Sequence, residues 1–507
     1  MKIDVADRLV EIESWLENGE VSRVRAALTD LLQNRIERRH VFTVAMLCRC
    51  CHLPERAVRI LHRYMYSSSR TAPDASEAEK AEYAASLNAI GCNLEAQKLL
   101  QSLNTDQIPK ALLFHAYTYI WQWDWDGAVA PLEKYLAHPK ALPDPKLWAK
   151  VNLGLALTHG PGRLDEARIL LEEVSKETVN PHQRMVHKNA LVNLLQNQFV
   201  RKDWKAAQDS VRQLESDFLG DGDSLFESVL ELWKHLVNLY SATDRQVPFR
   251  AMRALRMRFR EAGLWENMRA CDYYEAALLG TEKLLLQLYF GTPFPAFRAR
   301  VKKTMEQLKI AIPSHYEWFF FQRPEGKRVV IELANGQNSL GDSFLKEGQV
   351  PLRLLQTLGS DFYKPMQIAE LHERIYPELN FDPITSANRV HQATRRLRTW
   401  LEENKIPLEI SEFGGFYALS APPGCAIKIQ SEESPWTEAL LKTKLRLQYA
   451  KIKKHFGRKT FFAAELPALL EISYRSSVRV LNEIRDAGLI ERVELGPQTH
   501  YKIRSPK

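Results

Sequence analysis

The stretch VNLGLALTHGPGRLDEARILLEEV, residues 151–174, decides the fold of the first half of the chain. Apolar residues recur at intervals of three and four on both sides of the turn sequence HGPG, which is typical of two amphipathic helices joined as a hairpin. In the second helix Ala167 is followed by apolar residues three or four positions on, so small and large groups share one helical face. A neighbouring helix can pack closely against such a face.

The same pattern recurs on both sides of this stretch, in LPERAVRILHRYM, NLEAQKLLQSL, WDGAVAPLEKYL and WKAAQDSVRQLE. The corresponding alanines are Ala57, Ala96, Ala128, Ala167 and Ala207, spaced by 39, 32, 39 and 40 residues. These spacings surround the 34-residue period of tetratricopeptide repeats, which the chain resembles best between residues 83 and 217. The resemblance implies an α-solenoid over residues 1–312. Its concave surface is expected to bind a protein or peptide partner, because solenoids bind more often than they catalyse.

Length and composition exclude several classes of protein. The 507 residues are 45% hydrophobic and 26% charged, which excludes collagen, wholesale disorder and a coiled-coil rod. The net charge of +8 divides unevenly, with −3 over residues 1–240, +6 over 241–310 and +5 over 311–507. No apolar run approaches the roughly 20 residues that cross a bilayer, and the acidic start does not resemble a signal peptide. We therefore expect a cytoplasmic protein with no membrane contact.

Neither a metal site nor a cofactor is expected. The six cysteines are too few and too unevenly spaced for a disulfide framework. Cys48, Cys50, Cys51 and His52 are zinc-ligand types, but Cys50 and Cys51 are adjacent on a predicted helix and point apart, and no second C-x-x-C pair completes a tetrahedral site. Alternate tryptophans in WQWDWDGA, at 121, 123 and 125, could form an aromatic cage, although packing between repeats is the simpler interpretation.

The composition changes after Pro313. Short β-type runs at WFFF and KRVVIEL are followed by two amphipathic helices, PLRLLQTLGSD and MQIAELHERIY. A longer helix, DPITSANRVHQATRRLRTWLEENK, is predicted to begin at Asp382 as N-cap with Pro383 in the first helical position. The run LEISEFGGFYALS then reads as a hairpin that turns at Gly414 and Gly415.

The longer helix has the side chains that read a DNA major groove. It contains no acidic residue from Ile384 to Leu401. Ala387, Val390, Thr394, Leu397 and Leu401 share a predicted buried face. Arginine and glutamine pair with base edges in the major groove, so the other face is a candidate for direct readout. The candidate DNA-binding residues on this face are Asn388, Arg389, Gln392, Arg395, Arg396 and Thr399.

This order of elements resembles the OmpR-type winged helix of bacterial response regulators, here over residues 313–430. The most specific parts are the run from Arg396 to Arg398 and the run from Gly415 to Leu419. The resemblance implies phosphate and base contacts for Arg395, Arg396 and Arg398, although periodicity alone places Arg398 nearer the edge of the core. Glu409 and Glu412 make this wing acidic, which does not favour a phosphate contact from it.

A second winged helix is predicted at residues 431–507. A basic, acid-free stretch at residues 440–459 precedes a short helix, a helix capped by Ser473 and a hairpin turning at Gly496 and Pro497. This part resembles MarR-like and GntR-like repressors, whose recognition helix ends in a Gly-Leu-Ile like that at 488–490. Val478, Leu481 and Ile484 are expected to be buried. The candidate DNA-binding residues are Arg475, Ser476, Arg479 and Asn482 on the helix and Arg492, His500 and Lys502 on the wing.

The sequence therefore predicts a mainly α protein, with an N-terminal tetratricopeptide-like helical solenoid followed by two α+β winged helix-turn-helix domains. The favoured function is a bacterial DNA-binding transcriptional regulator that reads double-stranded DNA with its winged helices and forms a possible homo-oligomer. Similar parts occur, in the opposite order, in regulators of the antibiotic-regulatory-protein type. The alternative is a non-catalytic interaction scaffold resembling PCI-domain subunits, whose winged helices contact protein. An enzyme is not expected, since the nucleotide-binding, zinc-protease and serine-hydrolase motifs are absent from the sequence.

Overall fold

The N-terminal part of the computed structural model is built of paired antiparallel helices. The structure describes residues 5–17, 20–34, 36–66, 74–179, 183–220, 224–320, 328–341, 343–346, 348–431, 445, 448–449, 451–453, 455–457, 459–486, 490–495 and 498–503. The solenoid helices are α1 (Val5–Glu17), α2 (Val21–Leu31), α3 (Val41–Cys50), α4 (Pro54–Met65), α5 (Glu77–Ala89), α6 (Asn93–Ser102), α7 (Lys110–Ile120), α8 (Trp125–Ala137), α9 (Pro143–His159), α10 (Leu164–Glu177), α11 (Arg184–Val200), α12 (Trp204–Phe218), α13 (Ser224–Ser241), α14 (Gln246–Glu261), α15 (Trp265–Leu279), α16 (Glu282–Phe290) and α17 (Pro295–Gln307).

The predicted alanine register is confirmed. Ala57, Ala96, Ala128, Ala167 and Ala207 are each the fourth residue of the second helix in a hairpin, and each is fully buried. A methyl group at this position lets the paired helix approach closely, and the larger apolar residues one turn later fill the space between hairpins. The mainly α fold that begins with a helical solenoid is thus present as predicted.

The turns inside these hairpins share a left-handed residue two positions before the second helix. These residues are His52, Gly91, Trp123, Gly162 and Lys202, with φ of 59°, 90°, 60°, 70° and 62°. A left-handed backbone suits glycine but costs other residues about 1–2 kcal/mol. Three of the five turns have a residue other than glycine at this position, and one of these residues is Trp123, with its large aromatic side chain.

An α+β module follows the solenoid, and we call it the first module. Its elements are β1 (His315–Phe319), β2 (Val329–Glu332), α18 (Val350–Leu358), β3 (Met366–Gln367), α19 (Ile368–Ile375), α20 (Ser386–Glu403), β4 (Glu409–Phe413), β5 (Phe416–Ser420) and β6 (Cys425–Gln430). One sheet has the order β1-β6-β2 and the other β3-β5-β4. The β4–β5 hairpin turns at Gly414 and Gly415, which both have positive φ, as a tight two-residue turn requires.

The start of α20 differs from the prediction. The helix begins at Ser386 rather than next to Asp382. Asp382 instead closes a turn ahead of the helix, because its carboxylate accepts hydrogen bonds from the amides of Ile384 at 2.8 Å and Thr385 at 3.2 Å. Pro383 therefore lies in this turn. The prediction of Asp382 as the N-cap is therefore wrong, because its side chain closes the turn and the residue directly before the helix is Thr385.

A second, smaller α+β module lies near the C-terminal end, and we call it the second module. Its described elements are β7 (Phe461–Phe462), α21 (Leu466–Leu470), α22 (Tyr474–Asp486), β8 (Ile490–Leu495) and β9 (Gln498–Ile503), with strand order β7-β9-β8. Much of the basic stretch predicted at residues 440–459, and the turn at Gly496 and Pro497, lie outside the described residues.

Leu481 and Ile484 of α22 are buried as predicted, but Val478 is only half-buried. Ser477 and Val480 take its place in the core, so the buried stripe is displaced around the helix by one residue. Among the described residues, no helix has the length and apolar character needed to cross a membrane.

Candidate nucleic-acid interface

Helix α20 packs one face into the first module and presents the other outward. Val390, Thr394, Leu397 and Leu401 are buried, as predicted from periodicity, and Ala387 is half-buried. The short strand β3 and helix α19 lie before α20, and the β4–β5 hairpin after it. The order is helix, short strand, helix, long helix and hairpin.

Most of the candidate residues on α20 lie on the outward face. The side chains that are exposed are those of Asn388, Gln392, Arg395, Arg396 and Thr399. Among the described residues, no carboxylate forms an ion pair with Arg395 or Arg396. This face therefore presents amide groups and two arginine side chains whose charges are not neutralised by any described carboxylate.

Arg389 and Arg398 are half-buried and differ from the other candidates. Arg398 donates a hydrogen bond from Nη2 to the carbonyl oxygen of Ile410, at 2.6 Å. Ile410 belongs to β4, so Arg398 ties the long helix to the first strand of the hairpin. The backbone carbonyl of Arg389 accepts a hydrogen bond from the Tyr376 hydroxyl, at 3.3 Å. Arg398 thus has a structural partner within the module, in keeping with its predicted place near the edge of the core.

The hairpin beside α20 is acidic. Glu409 and Glu412 are exposed, and the Phe413 side chain is 52% exposed near the tip. The ring of Phe413 stacks on that of Phe416, with centroids 6.0 Å apart. Because carboxylates repel phosphate, a duplex approaching α20 would meet unfavourable charge on this side.

Among the contacts between the solenoid and the first module in the described residues, two polar ones were not revealed by the sequence. At the first, the carboxylate of Glu373 on α19 accepts the backbone amide of Glu95, in the first turn of α6, at 2.8 Å. In return Glu95 accepts the backbone amide of Phe381, just ahead of α20, at 2.7 Å. The Cys92 thiol donates to the carbonyl of Ala369 at 3.3 Å. The solenoid therefore holds the connection between α19 and α20.

Two carboxyl groups with raised pKa values lie at this first contact. Burial raises the pKa of Glu373 to about 7, even though two backbone amides bond to it. Burial also raises the pKa of Glu95. Two carboxylates enclosed together disfavour their own ionisation, so protons are bound here more tightly than on exposed glutamates.

At the second contact, α15 binds the loop between α18 and β3. Arg269 is fully buried and donates from Nη2 to both carboxylate oxygens of Asp361, at 2.8 and 3.0 Å. The Tyr363 hydroxyl donates to Asp272 at 2.8 Å, and Asp272 also pairs with Arg256. A single guanidinium nitrogen serves both carboxylate oxygens, so Arg269 fixes the position of this loop through charge-assisted hydrogen bonds.

The candidates in the second module are described only in part. Arg479 and Lys502 are exposed, and Ser476, Asn482 and His500 are half-buried. Ser476 bonds to the capping residue Ser473, whose hydroxyl accepts the Ser476 amide at 3.2 Å and donates to the Ser476 hydroxyl at 3.0 Å. The centroids of the His500 and Phe462 rings are 4.0 Å apart. The side chains of Arg475 and Arg492 lie outside the described residues.

Comparison with known proteins assigns no family. No family model matches the chain, and no curated protein is significantly similar to it. Among solved structures, the chain is similar to the Rap conjugation gene regulator of plasmid pLS20, determined in complex with the Phr* peptide. The identity is 12%, the match covers 60% of this chain and 95% of that one, and the TM-score is 0.35. Superposition this weak supports no argument about function.

Proposed function

We propose that this chain is a DNA-binding transcriptional regulator in which α20 enters the major groove and the solenoid senses a partner or ligand. The observation that carries the proposal is the outward face of α20. It presents Arg395, Arg396, Gln392 and Asn388 on a helix with no acidic residue before Glu402. Arginine and amide side chains recognise guanine and adenine edges, and arginine also neutralises phosphate.

The second module supports the same function. We infer that it is a second DNA reader, with α22 as its recognition helix and Arg479 on its exposed side. Two readers on one chain bind a composite site more tightly than either alone, because binding of the first raises the effective concentration of the second. We assign no catalytic role to either module.

An interaction scaffold is the second candidate. It is supported by the acidic hairpin of the first module, where Phe413 is exposed between Glu412 and Gly414. An exposed aromatic side chain flanked by carboxylates suits a basic protein surface better than a phosphate backbone.

The experiment compares the full-length protein with the double variant Arg395→Ala/Arg396→Ala. Binding to a fluorescent mixed-sequence duplex is measured by anisotropy over a series of salt concentrations. Each phosphate contact contributes about −0.9 to the slope of log affinity against log salt, so losing two contacts makes the slope shallower by about 1.8. We expect that change together with weaker binding.

The matched control is Lys302→Ala/Lys303→Ala on α17, which removes the same charge from two exposed lysines of the solenoid. It should leave the slope unchanged. If the α20 variant retains the wild-type affinity and slope, α20 is not the DNA-binding helix. If the wild-type protein itself shows no salt-dependent binding, the scaffold is favoured.

A further inference from the structure

A closed loop of aromatic rings lies inside the solenoid. Each ring contacts the next with centroids 4.9 to 6.2 Å apart, and the last contacts the first. In order around the loop they are Trp123, Trp125, His159, Trp233, Tyr274, Tyr273 and Phe297. The rings come from the α7–α8 turn, α8, α9, α13, α15 and α17. We call this set the aromatic ring.

Trp123 closes the aromatic ring between distant parts of the chain. Its indole packs edge-on against Phe297 at 4.9 Å, and its Nε1–H donates to Glu266 at 2.9 Å. The tryptophan reaches this position from a left-handed backbone, where Gly91 and Gly162 stand in equivalent turns. Trp123 therefore packs within the solenoid, but the prediction that it packs between neighbouring repeats is wrong, because Glu266 and Phe297 are more than 140 residues away.

Arg300 lies against the aromatic ring without a carboxylate partner. Its Nε donates to the Tyr273 hydroxyl at 3.1 Å and its Nη2 to the Tyr274 hydroxyl at 3.3 Å. The other enclosed arginines are neutralised, Arg269 by Asp361 and Arg49 by Glu82. Among the described residues, none of the carboxylates forms an ion pair with Arg300. An arginine stays charged in proteins, so half-buried Arg300 carries a positive charge that no described carboxylate pairs with.

Two polar atoms of the aromatic ring also lack partners within the described structure. These are Nε1 of Trp125 and Nδ1 of His159. Nε2 of His159 lies 2.8 Å from Oε1 of Gln196, so Nε2 carries the proton and Nδ1 is left as an acceptor. Burial and then the charge of Arg300 lower the pKa of His159 to about 3. His159 is therefore neutral, and the guanidinium is close enough to influence it.

We propose that the aromatic ring binds a ligand with a carboxylate joined to an apolar or aromatic body. The carboxylate pairs with the Arg300 guanidinium, and the body lies on the rings. A carboxylate supplies the charge that Arg300 lacks and matches the planar guanidinium fork. Either a small free acid or the C-terminal end of a peptide provides this chemistry. The proposal gives a chemical identity to the sensing role proposed for the solenoid and rests on that part only, not on DNA binding.

The site is connected to the first module through α15. Tyr273 and Tyr274, which bond to Arg300, directly follow Asp272, which accepts the hydrogen bond from Tyr363 of the first module. A ligand that shifts the two tyrosines therefore acts on the helix that holds the α18–β3 loop.

The test uses the full-length protein and melting temperatures followed by tryptophan fluorescence, without DNA. The probes are phenylacetate and N-acetyl-phenylalanyl-phenylalanine, each compared with its amide. The acids should raise the melting temperature and the amides should not. A response to the dipeptide acid alone identifies a peptide end, and a response to phenylacetate alone identifies a small acid.

Two variants separate ligand binding from a structural role. Arg300→Met should weaken acid binding by between about ten- and a hundredfold, as expected for a lost charge-assisted hydrogen bond. Without ligand it should melt no lower than the wild type, because it removes an uncompensated charge. Lys302→Met, an exposed change on the same helix, should respond as the wild type does.

Three results would overturn the proposal. They are the absence of a response to either acid, equal responses to acids and amides, and an Arg300→Met variant that binds the acids as the wild type does. A variant that melts lower than the wild type and shows no change in acid binding would assign Arg300 to the fold alone. Failure of DNA binding in the α20 experiment would leave these measurements unaffected.

Discussion

The contact between Arg269 and Asp361 gives the most direct measure of how firmly the solenoid holds the first module. Both side chains are excluded from solvent, with exposures of 0% and 2%. Replacing Asp361 by alanine leaves an obligatory cation enclosed in the protein, and breaking such a pair costs about 3–5 kcal/mol. Glu266 still accepts from Nε of Arg269 at 3.0 Å and is itself 39% exposed. We therefore expect Asp361→Ala to lower the stability by about 3 kcal/mol, at the lower end of that range.

Native-state hydrogen exchange measures this loss locally, without requiring the whole chain to unfold in one step. A loss of about 3 kcal/mol in local stability makes the open state of this contact roughly 150 times more populated. The backbone amides of α15 and α18 should therefore exchange their hydrogens faster by that factor. Amides of α10 provide the internal control, because that helix makes no contact with Asp361.

The double variant Arg269→Met/Asp361→Ala sharpens the test. Replacing both partners removes the stranded charge, and apolar replacement of a buried pair is often neutral. Exchange should then return most of the way to the wild-type rate. If Asp361→Ala alone changes exchange in α15 by less than tenfold, or if the double variant is worse than the single one, the ion pair does not hold the module.

Two further predictions concern the same interfaces. A methyl group at Gly291 would lie 2.1 Å from the Phe362 ring, so Gly291→Ala should lower the free energy of unfolding by about 1–3 kcal/mol and lower the melting temperature. The control Gly341→Ala should leave both unchanged, because no atom lies within 4 Å of the added methyl group. The pKa of Glu373 is about 7 in the folded protein and ordinarily 4.5, so the folded protein binds this proton more tightly than the unfolded chain does. The protonated group therefore stabilises the folded protein at low pH, and this stabilisation is lost as the pH rises through 7. The melting temperature of the wild type relative to Glu373→Gln should therefore fall between about pH 5 and pH 8, and a constant difference would mean that Glu373 does not titrate there.

The repeats were predictable where a small residue marks them. Ala57 to Ala207 occupy one position in five hairpins, and that regularity is visible in the sequence. The same helical position is occupied by Val24 in α2 and Leu285 in α16, which are also fully buried. A solenoid tolerates these larger residues when the facing helix is further away, so the pattern fades although the architecture continues.

The contacts between solenoid and first module were not predictable from the sequence. Glu95 and the amide of Phe381 are 286 positions apart, and no local pattern relates them. Glu373 and Glu95 appear in the sequence as ordinary helix-surface acids. Only the assembled fold shows that Glu373 accepts the amide of Glu95 and that Glu95 accepts the amide of Phe381. The contacts of Arg300 were likewise not predictable from the sequence. Arg300 lies in the basic run ARVKK, and nothing in that run indicates that its guanidinium contacts aromatic rings.

Helix α15 has two roles that follow from its position between the aromatic ring and the first module. Consecutive helical residues point about 100° apart, so Asp272 and Tyr273 contact different partners while sharing one backbone. Asp272 accepts from Tyr363 of the module, and Tyr273 accepts from Arg300. A ligand can shift the first module only if it binds two arrangements of α15 with different affinity. Asp272 pairs with Arg256 through both carboxylate oxygens, so a small rotation of α15 would alter this ion pair and the hydrogen bond from Tyr363 before it altered the apolar packing. The solenoid therefore need not touch α20 to influence it.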